Sequence, residues 1–324
     1  MGSNKKYQVT TFGDCSLDHF VVPTKYSIKK AKGGSLLQFD FASKIPLSDF
    51  RLFPGGNALN TAVTFSRLGL ATAIAAELGD DLESVVLKNR IDDLGIGTDY
   101  LRTSTHETDK SIILITRSER TILSFHCKKN YSFPKNLSTE WLYLTSLGDG
   151  FEKVYNQVLN FKKRSDLLIA YNSGSRQLQF ALPAVRRMVR ASEVVFMNLE
   201  EAVKIVGKKL PPKSLLKALH SLGAHNVVIT AGPKGAYGFD GHKTYFIKAF
   251  PAKRVDATGA GDAFASAATA ALIYGQDLPE AMRWGSVNAA GEISQIGVQV
   301  GLLSKTALMK KLGAAKSFQA KILR

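Results

Sequence analysis

The most chemically suggestive stretch of the sequence is residues 256–264, which read Asp-Ala-Thr-Gly-Ala-Gly-Asp-Ala-Phe. Gly259, Ala260 and Gly261 are small enough to let a ligand approach the backbone. A helix of small residues is predicted to follow, and the free N–H groups of its first turn favour an anion. A carboxylate at Asp262 would repel that anion, and as a helix-start charge it contributes only about 0.3–1 kcal/mol. We therefore interpret Asp262 as a base for an attacking hydroxyl, and a glycine-rich turn with an acidic cap is the alternative.

Four short motifs, taken in order, resemble signatures of the ribokinase-like sugar kinases, also called the PfkB carbohydrate kinase family. Residues 55–60 (Gly-Gly-Asn-Ala-Leu-Asn) resemble the N-terminal signature, and residues 256–264 resemble the C-terminal one. Residues 198–201 match the Asn-x-x-Glu motif, and residues 230–236 match the Thr-x-Gly-x-x-Gly nucleotide loop. Each motif alone is weak, but together they cover nearly the whole chain. The resemblance implies an ATP-dependent kinase that phosphorylates a hydroxyl of a small sugar-like molecule.

The resemblance implies how the phosphoryl group is transferred. Asp262 is expected to deprotonate the acceptor hydroxyl, which then attacks the γ-phosphate of ATP in line. The backbone N–H groups of Gly259, Ala260 and Gly261 are expected to form an anion hole for the charge that develops on the transferred group.

The resemblance also implies which residues hold the nucleotide and its Mg²⁺ ion. Asn198 and Glu201 are expected to organise Mg²⁺ and phosphate, partly through water, which suits the preference of Mg²⁺ for several water ligands. Without the family, a helix-capping asparagine with an acid in the first turn explains the same pair. Thr230, Gly232 and Gly235 are expected to approach the nucleotide closely.

Three further assignments rest on the resemblance. Asn288, on a predicted helix, matches a position near the adenine. Asn172 ends a predicted strand on the nucleotide side. Asp256 and Thr258 match the monovalent-cation site of some relatives, so K⁺ is a candidate activator.

The acceptor end of the site is expected to combine a carboxylate, backbone N–H groups and an amide. Asp18 matches the family aspartate that accepts hydrogen bonds from sugar hydroxyls. Gly55 and Gly56 would bring backbone N–H groups to the sugar, and Asn60 would supply the amide. A buried carboxylate of this kind discriminates strongly, because an analogue without the hydroxyls leaves it unpaired. Asp14 is a nearby acid that we interpret as an ordinary turn residue.

The elements that must position these residues alternate along the chain. Segments with helical spacing lie between short apolar runs, which occur at residues 7–12, 71–76, 141–145, 167–171, 194–197 and 227–230. This alternation predicts a doubly wound, mostly parallel sheet with helices on both faces. We expect one ribokinase-like α/β domain over residues 1–324.

Two segments interrupt the alternation and predict a small antiparallel β lid. Residues 111–116 and 121–126 read as a hairpin with a four-residue loop, and residues 21–50 form a long insertion. Such a flap can close over a site and exclude water. Arg120 and His126 are candidates for selecting the substrate, although a solvated charge also explains either one. The resemblance allows a homodimer joined through the lids.

The composition describes a basic protein without targeting or membrane signals. Lys and Arg number 43 and Asp and Glu number 27, which gives a formal net charge of +16. The basic residues are spread out, although residues 302–324 are rich in them, so we interpret the charge mainly as a solvated surface and expect no nucleic-acid partner. Cys15 and Cys127 cannot form a disulfide framework. The polar N-terminus and the lack of an apolar run of about 20 residues predict a cytoplasmic protein that does not enter membranes.

Other functions fit the sequence less well than a sugar kinase. A nucleoside kinase is the nearest alternative, because a residue such as Asp18 can bind either kind of ribose. A phosphosugar kinase would need a basic pocket that the sequence does not define. A non-catalytic nucleotide- or nucleic-acid-binding protein would have no need of Asp262. A Rossmann dehydrogenase is excluded because no Gly-x-Gly-x-x-Gly follows the first predicted strand.

Overall fold

The computed structural model describes residues 6–31, 34–117 and 119–323. In these ranges the strands are β1 (Tyr7–Phe12), β2 (Ser16–Pro23), β3 (Ser27–Ala31), β4 (Gly34–Gln38), β5 (Leu47–Gly55), β6 (Thr72–Leu78), β7 (Gly97–Thr103), β8 (Asp109–Thr116), β9 (Glu119–Phe125), β10 (Thr139–Leu144), β11 (Leu168–Asn172), β12 (Val194–Asn198), β13 (Asn226–Thr230), β14 (Ala236–Phe239), β15 (Thr244–Ile247) and β16 (Lys321–Ile322). The helices are α1 (Asn57–Arg67), α2 (Leu82–Asp93), α3 (Phe151–Lys162), α4 (Ser175–Phe180), α5 (Leu182–Ala191), α6 (Leu199–Val206), α7 (Pro212–Ser221), α8 (Ala260–Ile273), α9 (Leu278–Glu292) and α10 (Lys305–Ala314).

The central sheet has the strand order β16-β15-β14-β13-β12-β11-β10-β1-β6-β7. The strands from β13 to β7 in this order run parallel to one another. The remaining three continue the sheet in antiparallel fashion. The predicted mostly parallel sheet is therefore confirmed, and the short antiparallel edge was not predicted.

Alternate residues of each central strand pack against opposite layers of helices. On β10, Leu142 and Leu144 belong to the same core cluster as buried residues of α3 and α5. Trp141 and Tyr143 belong to the cluster that contains α8 and α9. The inner parallel strands are buried on both faces, unlike the edge strands β7 and β16, which explains why the inner strands read as continuous apolar runs rather than as alternating patterns.

A second sheet, with strand order β5-β2-β8-β9, forms the lid. Its strands extend beyond the predicted insertion at residues 21–50, because β2 begins at Ser16 and β5 ends at Gly55. Its β5–β2 and β8–β9 ladders are antiparallel, as expected, whereas β2 and β8 pair in parallel. The rest of the predicted insertion includes a separate ribbon of β3 and β4, and Gly33 of its turn lies outside the described residues.

The loop of the lid hairpin is shorter than predicted. β8 extends to Thr116 and β9 begins at Glu119, so two residues connect the strands rather than four. Arg117 has a φ of 49°, in the left-handed region that such tight hairpin turns require. Ser118 lies outside the described residues.

The described chain has no helix that combines the length and apolarity needed to cross a bilayer. Cys15 is buried, Cys127 is partly exposed, and both are free thiols. Residues 1–5 and residue 324, which the sequence analysis included in the polar N-terminus and the basic C-terminal segment, lie outside the described ranges.

Candidate active site

A cleft of about 920 Å³ opens at the point where the strand order reverses, between β1 and β10. Chain connections lead from β1 to one side of the sheet and from β10 to the other, which leaves a crevice beyond the carboxyl ends of the strands. Residues at or just after the ends of five neighbouring strands line it, namely Asp14, Ser146, Asn172, Asn198 and Thr230. The lid sheet contributes the facing wall.

The start of α8 presents backbone N–H groups to this cleft. Gly259, at the N-cap with a φ of 76°, lines the cleft together with Ala260, Gly261 and Asp262. Within the described chain, the N–H groups of Gly259 and Gly261 have no hydrogen-bond acceptor. A Cβ atom at Gly261 would meet no atom within 4 Å. The loop therefore offers free donors at Gly259 and Gly261 and open space beside them, whereas Ala260 N–H, the third predicted donor, already donates to the carbonyl of Ala257 at 3.4 Å.

The environment of Asp262 suits a base near neutral pH. Burial raises the pKa of Asp262 to about 7, and the hydrogen bond from Asn60 opposes that shift. Asn60 Nδ2 donates to Asp262 Oδ2 at 3.2 Å. The carboxyl can thus be ionised when it accepts a proton and still be a strong enough base to take one.

The sequence did not reveal Gln299, which orients the Asn60 amide. Gln299 Nε2 donates to Asn60 Oδ1 at 3.1 Å and to the carbonyl of Pro54 at 2.8 Å. The backbone N–H of Gln299 donates to Glu292 Oε1 at 2.7 Å. With its oxygen occupied in this way, the Asn60 side chain must turn its NH₂ group toward Asp262. No local sequence pattern marks a contact between residues 239 positions apart.

Asp18 lies on the lid strand β2 and faces the same cleft as Asp262. It is 6% exposed, and burial raises its pKa to about 6. Ser16 Oγ donates to Asp18 Oδ1 at 2.9 Å. A Cβ atom at Gly55 would lie 2.1 Å from Asp18 Oδ2, so Gly55 makes room for this carboxylate and does not itself line the cleft. Gly56, with a φ of 87°, does line it.

Asn198 and Glu201 form a capping box at the start of α6. Glu201 N–H donates to Asn198 Oδ1 at 2.9 Å, and Asn198 N–H donates to Glu201 Oε2 at 2.8 Å. Both residues also line the cleft, and burial raises the pKa of Glu201. The two interpretations of this pair are compatible, because the cap fixes a carboxylate that still faces the nucleotide side.

Three residues of the loop at residues 230–236 were predicted to approach the nucleotide. Of these, only Thr230 lines the cleft. Gly232 and Gly235 have φ values of 55° and 112°, and neither lines the cleft. A Cβ atom at Gly235 would lie 2.0 Å from the carbonyl oxygen of Ile247. Their φ values explain why the turn requires glycine at both positions, and their approach to the nucleotide stays a prediction.

Asn288 is not brought to the cleft. It is fully buried, its Nδ2 donates to the carbonyl of Ala263 at 2.9 Å, and its Oδ1 accepts from Leu303 N–H at 3.0 Å. Both polar atoms of the amide are thus used to hold α9 against α8 and the segment before α10. The side-chain amide is therefore not available to a ligand, and the expectation that this position lies near the adenine stays a prediction.

Asp256 fastens the signature loop rather than lining the cleft. Its Oδ1 accepts from Thr258 N–H at 2.9 Å and from Thr258 Oγ1 at 2.6 Å, and its Oδ2 accepts from Gly297 N–H at 3.2 Å. Thr258 itself lines the cleft. The loop that carries Asp256 and Thr258, the two residues of the K⁺ prediction, is therefore in contact with Gly297, although the carboxylate oxygens of Asp256 are already hydrogen-bonded.

The interpretation of Asp14 as an ordinary turn residue is wrong. Asp14 is buried, and its Oδ1 accepts from Lys129 Nζ at 3.0 Å and from the Tyr131 hydroxyl. Arg120 and His126, the two predicted lid residues, do line the cleft.

Comparison with known proteins identifies the family. The family model described as "pfkB family carbohydrate kinase" matches residues 33–305. Ribokinase from Bacillus subtilis is 25% identical over 301 residues, which span 91% of this chain and 95% of the relative. A nucleoside kinase from Methanothermobacter thermautotrophicus is 24% identical over 275 residues, which span 83% and 87%. Arabidopsis thaliana ribokinase complexed with ribose and ATP has a TM-score of 0.77, at 18% identity over 94% of this chain and 98% of the solved one.

The structural likeness confirms the predicted ribokinase-like fold, and the family match covers both signature motifs, at residues 55–60 and 256–264. The order of the motifs, the cleft at the reversal of strand order and this match agree. This chain belongs to the pfkB family of carbohydrate kinases.

Proposed function

We propose that the protein is an ATP-dependent kinase that transfers phosphate to a hydroxyl of a free sugar or a similar polyhydroxylated molecule. The observation that carries this proposal is that Asp262 and Asp18 line one cleft, with the free N–H groups of Gly259 and Gly261 beside Asp262. Asp262 takes the proton of the acceptor hydroxyl as that oxygen attacks the phosphoryl group. The N–H groups stabilise the charge that develops on the transferred group.

The nucleotide is assigned to the part of the cleft beyond β11, β12 and β13. Asn172, Asn198 and Thr230 end these strands and face the cleft. Among the described residues, no group of three or more His, Cys, Asp or Glu side chains could hold a metal ion. Glu201 therefore suits Mg²⁺ that keeps water and phosphate oxygens as most of its ligands. When bound, Mg²⁺ supplies positive charge beside the phosphates.

The acceptor is assigned to the space between the lid and α1. Asp18, Ser111 and Ser124 are in register across three lid strands and all face the cleft. This row offers a carboxylate and two hydroxyls, which match a molecule rich in hydroxyls. A nucleoside is the second candidate, because the next row contains Ile113 and Ile122 and could contact a base.

Replacement of the base provides the first test. Asp262→Asn keeps the shape of the side chain but removes the basic oxygen, so kcat should fall about 10²–10⁴-fold. The matched control is Asp93→Asn, at an exposed position on α2, which should keep wild-type turnover. Steady-state ADP release measures both variants, and near-normal turnover by Asp262→Asn would remove Asp262 from this role.

The pH profile of the wild-type enzyme checks the same assignment. Because the pKa of Asp262 is raised to about 7, the carboxyl is protonated and inactive below that pH. The kcat/KM value should therefore rise as pH increases through about 7, and Asp262→Asn should lose this rise. A wild-type profile that is flat between pH 5 and 8, roughly the range about that pKa, would contradict the assignment.

A panel of acceptors provides the second test. Ribose, fructose, adenosine, inosine and cytidine are compared by ADP release, and the sugars should be the better substrates. Asp18→Ala should raise KM for the preferred acceptor by about 10- to 100-fold, because it removes hydrogen bonds to a charged group. Asp166→Asn, at an exposed site, serves as the control. An unchanged KM in Asp18→Ala would disprove the assignment of Asp18.

Dependence on metal ions provides the third test. We propose that Mg²⁺ is required and that K⁺ activates by binding where residues 256–258 meet residues 295–298, a contact made by Gly297 N–H and Asp256. EDTA should abolish ADP release, and excess Mg²⁺ should restore it. Replacing K⁺ by tetramethylammonium at constant ionic strength should lower kcat. Equal rates in the two salts would refute the K⁺ site and leave the Mg²⁺ proposal standing.

We also propose that two copies associate through the outer face of the lid. Leu52, Ile112 and Leu123 lie in one row across that face and are 47%, 44% and 53% exposed. Phe50 and Phe125 add exposed aromatic surface in neighbouring rows. His19 of β2 lies between Leu52 and Ile112 in this row, so the face is largely apolar with one imidazole in it. An exposed, largely apolar face on a sheet is typical of a protein–protein contact. A second copy of the chain offers the same apolar face, as a two-fold symmetric contact requires.

The oligomeric state provides the fourth test. The wild-type protein should have twice the mass of one chain in light scattering, and Leu123→Glu should shift it to the monomer because the new charge would be buried. Leu82→Glu changes another exposed leucine, on α2, and should leave the dimer intact. A monomeric wild-type protein at micromolar concentration would contradict the proposal.

A further inference from the structure

A buried cluster of charges joins the lid to the central sheet beside the acceptor space. Lys129 Nζ lies 3.0 Å from Asp14 Oδ1 and 2.7 Å from Asp109 Oδ2. The side chains of Lys129 and Asp109 are 3% and 2% exposed. Asp14 follows β1 of the central sheet, and Asp109 opens β8 of the lid. One ammonium group thus connects two carboxylates that belong to different sheets.

Asp14 is held rigidly and presents one oxygen to the cleft. Its Oδ1 accepts from Lys129 and from the Tyr131 hydroxyl, and that hydroxyl accepts from Gly148 N–H at 2.8 Å. Its backbone N–H donates to the carbonyl of Ser146 at 3.1 Å. Within the described chain, Asp14 Oδ2 has no hydrogen-bond donor, although the residue is only 8% exposed and lines the cleft. This oxygen is therefore open to the cleft, where a hydroxyl of a bound molecule can donate to it without breaking a hydrogen bond within the protein.

Asp109 differs from Asp14, because both of its oxygens are occupied. Oδ1 accepts from Cys127 N–H at 2.9 Å, and Oδ2 binds Lys129 and lies 3.1 Å from His126 Nδ1. Burial would raise the pKa of Asp109, but His126 and Lys129 outweigh it and hold the pKa below its usual value. Asp109 therefore remains charged and fixes Lys129, whereas the free acceptor atom belongs to Asp14.

We propose that Asp14 is a second acceptor-binding carboxylate, which reads a hydroxyl that is not phosphorylated, and that Lys129 is its positioning residue. This inference rests on the proposed kinase function and specifies the class of acceptor as a free sugar or polyol. Oδ2 of Asp14 faces the cleft and is not engaged by another group of the protein, so it can accept from a hydroxyl of such a molecule. In a nucleoside the anomeric hydroxyl is replaced by a glycosidic nitrogen that has no hydrogen to donate. Asp14 and Asp18 together thus favour the molecule with more hydroxyls.

The test combines a substitution with substrates that lack one hydroxyl. Asp14→Asn can keep its oxygen toward Lys129 while it turns an NH₂ donor to the cleft. The acceptors are D-ribose and its 1-deoxy, 2-deoxy and 3-deoxy analogues, with adenosine and inosine for comparison. Asp14→Asn should raise KM for ribose by about 10- to 100-fold. Asp166→Asn, on the surface, is the control and should match the wild type.

The deoxy series decides whether Asp14 contacts the acceptor. With the wild-type enzyme, the analogue that lacks the hydroxyl read by Asp14 should lose about 10- to 100-fold in kcat/KM relative to ribose. With Asp14→Asn the same analogue should lose less than about twofold, because the two changes remove one interaction. The other analogues should keep their full losses. If every analogue loses as much with the variant as with the wild type, Asp14 does not read a hydroxyl.

Lys129→Met tests the positioning role. It should raise the acceptor KM as Asp14→Asn does and change kcat less than about threefold, whereas a general distortion of the site would lower kcat as well. The melting temperature should fall in either case, because Asp14 and Asp109 lose the ammonium group that pairs with them. If Lys129→Met does not fold, the Asp14→Asn series still decides the main proposal. Equal KM values for Lys129→Met and the wild type would refute the role of Lys129.

The remaining outcomes separate this inference from the proposed function. If the wild-type enzyme releases ADP with ribose but Asp14→Asn has the wild-type KM, this inference alone is wrong. If the wild type prefers adenosine or inosine to ribose, the assignment of a free sugar or polyol is wrong. If no acceptor causes ADP release, the proposed kinase function fails, and this inference fails with it.

Discussion

The base that we propose at Asp262 requires a carboxyl that is both poorly hydrated and able to ionise, and the residues around Asp262 meet both conditions. Burial in the cleft raises its pKa to about 7. The hydrogen bond from Asn60 stabilises the charged form and limits that rise. If the Asn60 amide were reversed, an oxygen would face the carboxylate instead of a donor, and the charged form would be destabilised. Gln299 excludes that orientation because it already donates to Asn60 Oδ1.

The same position satisfies the second demand of phosphoryl transfer, which is positive potential near the transferred group. The helix that carries Asp262 begins at Ala260, so its unpaired N–H groups point into the cleft. These dipoles attract phosphate while the neighbouring carboxylate repels it. A base beside an anion site is tolerable only if the base gains a proton during the reaction, which is why Asp262 in this place suits proton abstraction better than capping.

Local patterns in the sequence predicted the central strands, the helices between them and the residues of the signature motifs that face the cleft. Contacts between distant residues were not predictable in this way. Lys129 lies 115 positions from Asp14, in a stretch with no regular period, so Asp14 looked like a turn residue. Gly55 belongs to the predicted acceptor motif, yet its effect is the space it leaves for Asp18, which only the three-dimensional structure reveals. The hydrogen bonds of Asn288 were not predictable for the same reason, because its partners lie in other segments of the fold.

Hydrogen bonds and ion pairs connect the lid sheet to the rest of the fold at several points around the proposed acceptor space. These contacts limit how far the lid or its neighbours can shift independently. Lys129 connects the lid through Asp109 to Asp14 of the core. Gln299 donates to Pro54 on the lid strand β5 and to Asn60 on α1, so it connects the lid to the partner of the base. A shift of the lid would therefore disturb both the carboxylate proposed to read the acceptor and the amide that tunes Asp262. If Asp14 and Asp262 act as we propose, acceptor specificity and the strength of the base are coupled through the position of the lid sheet.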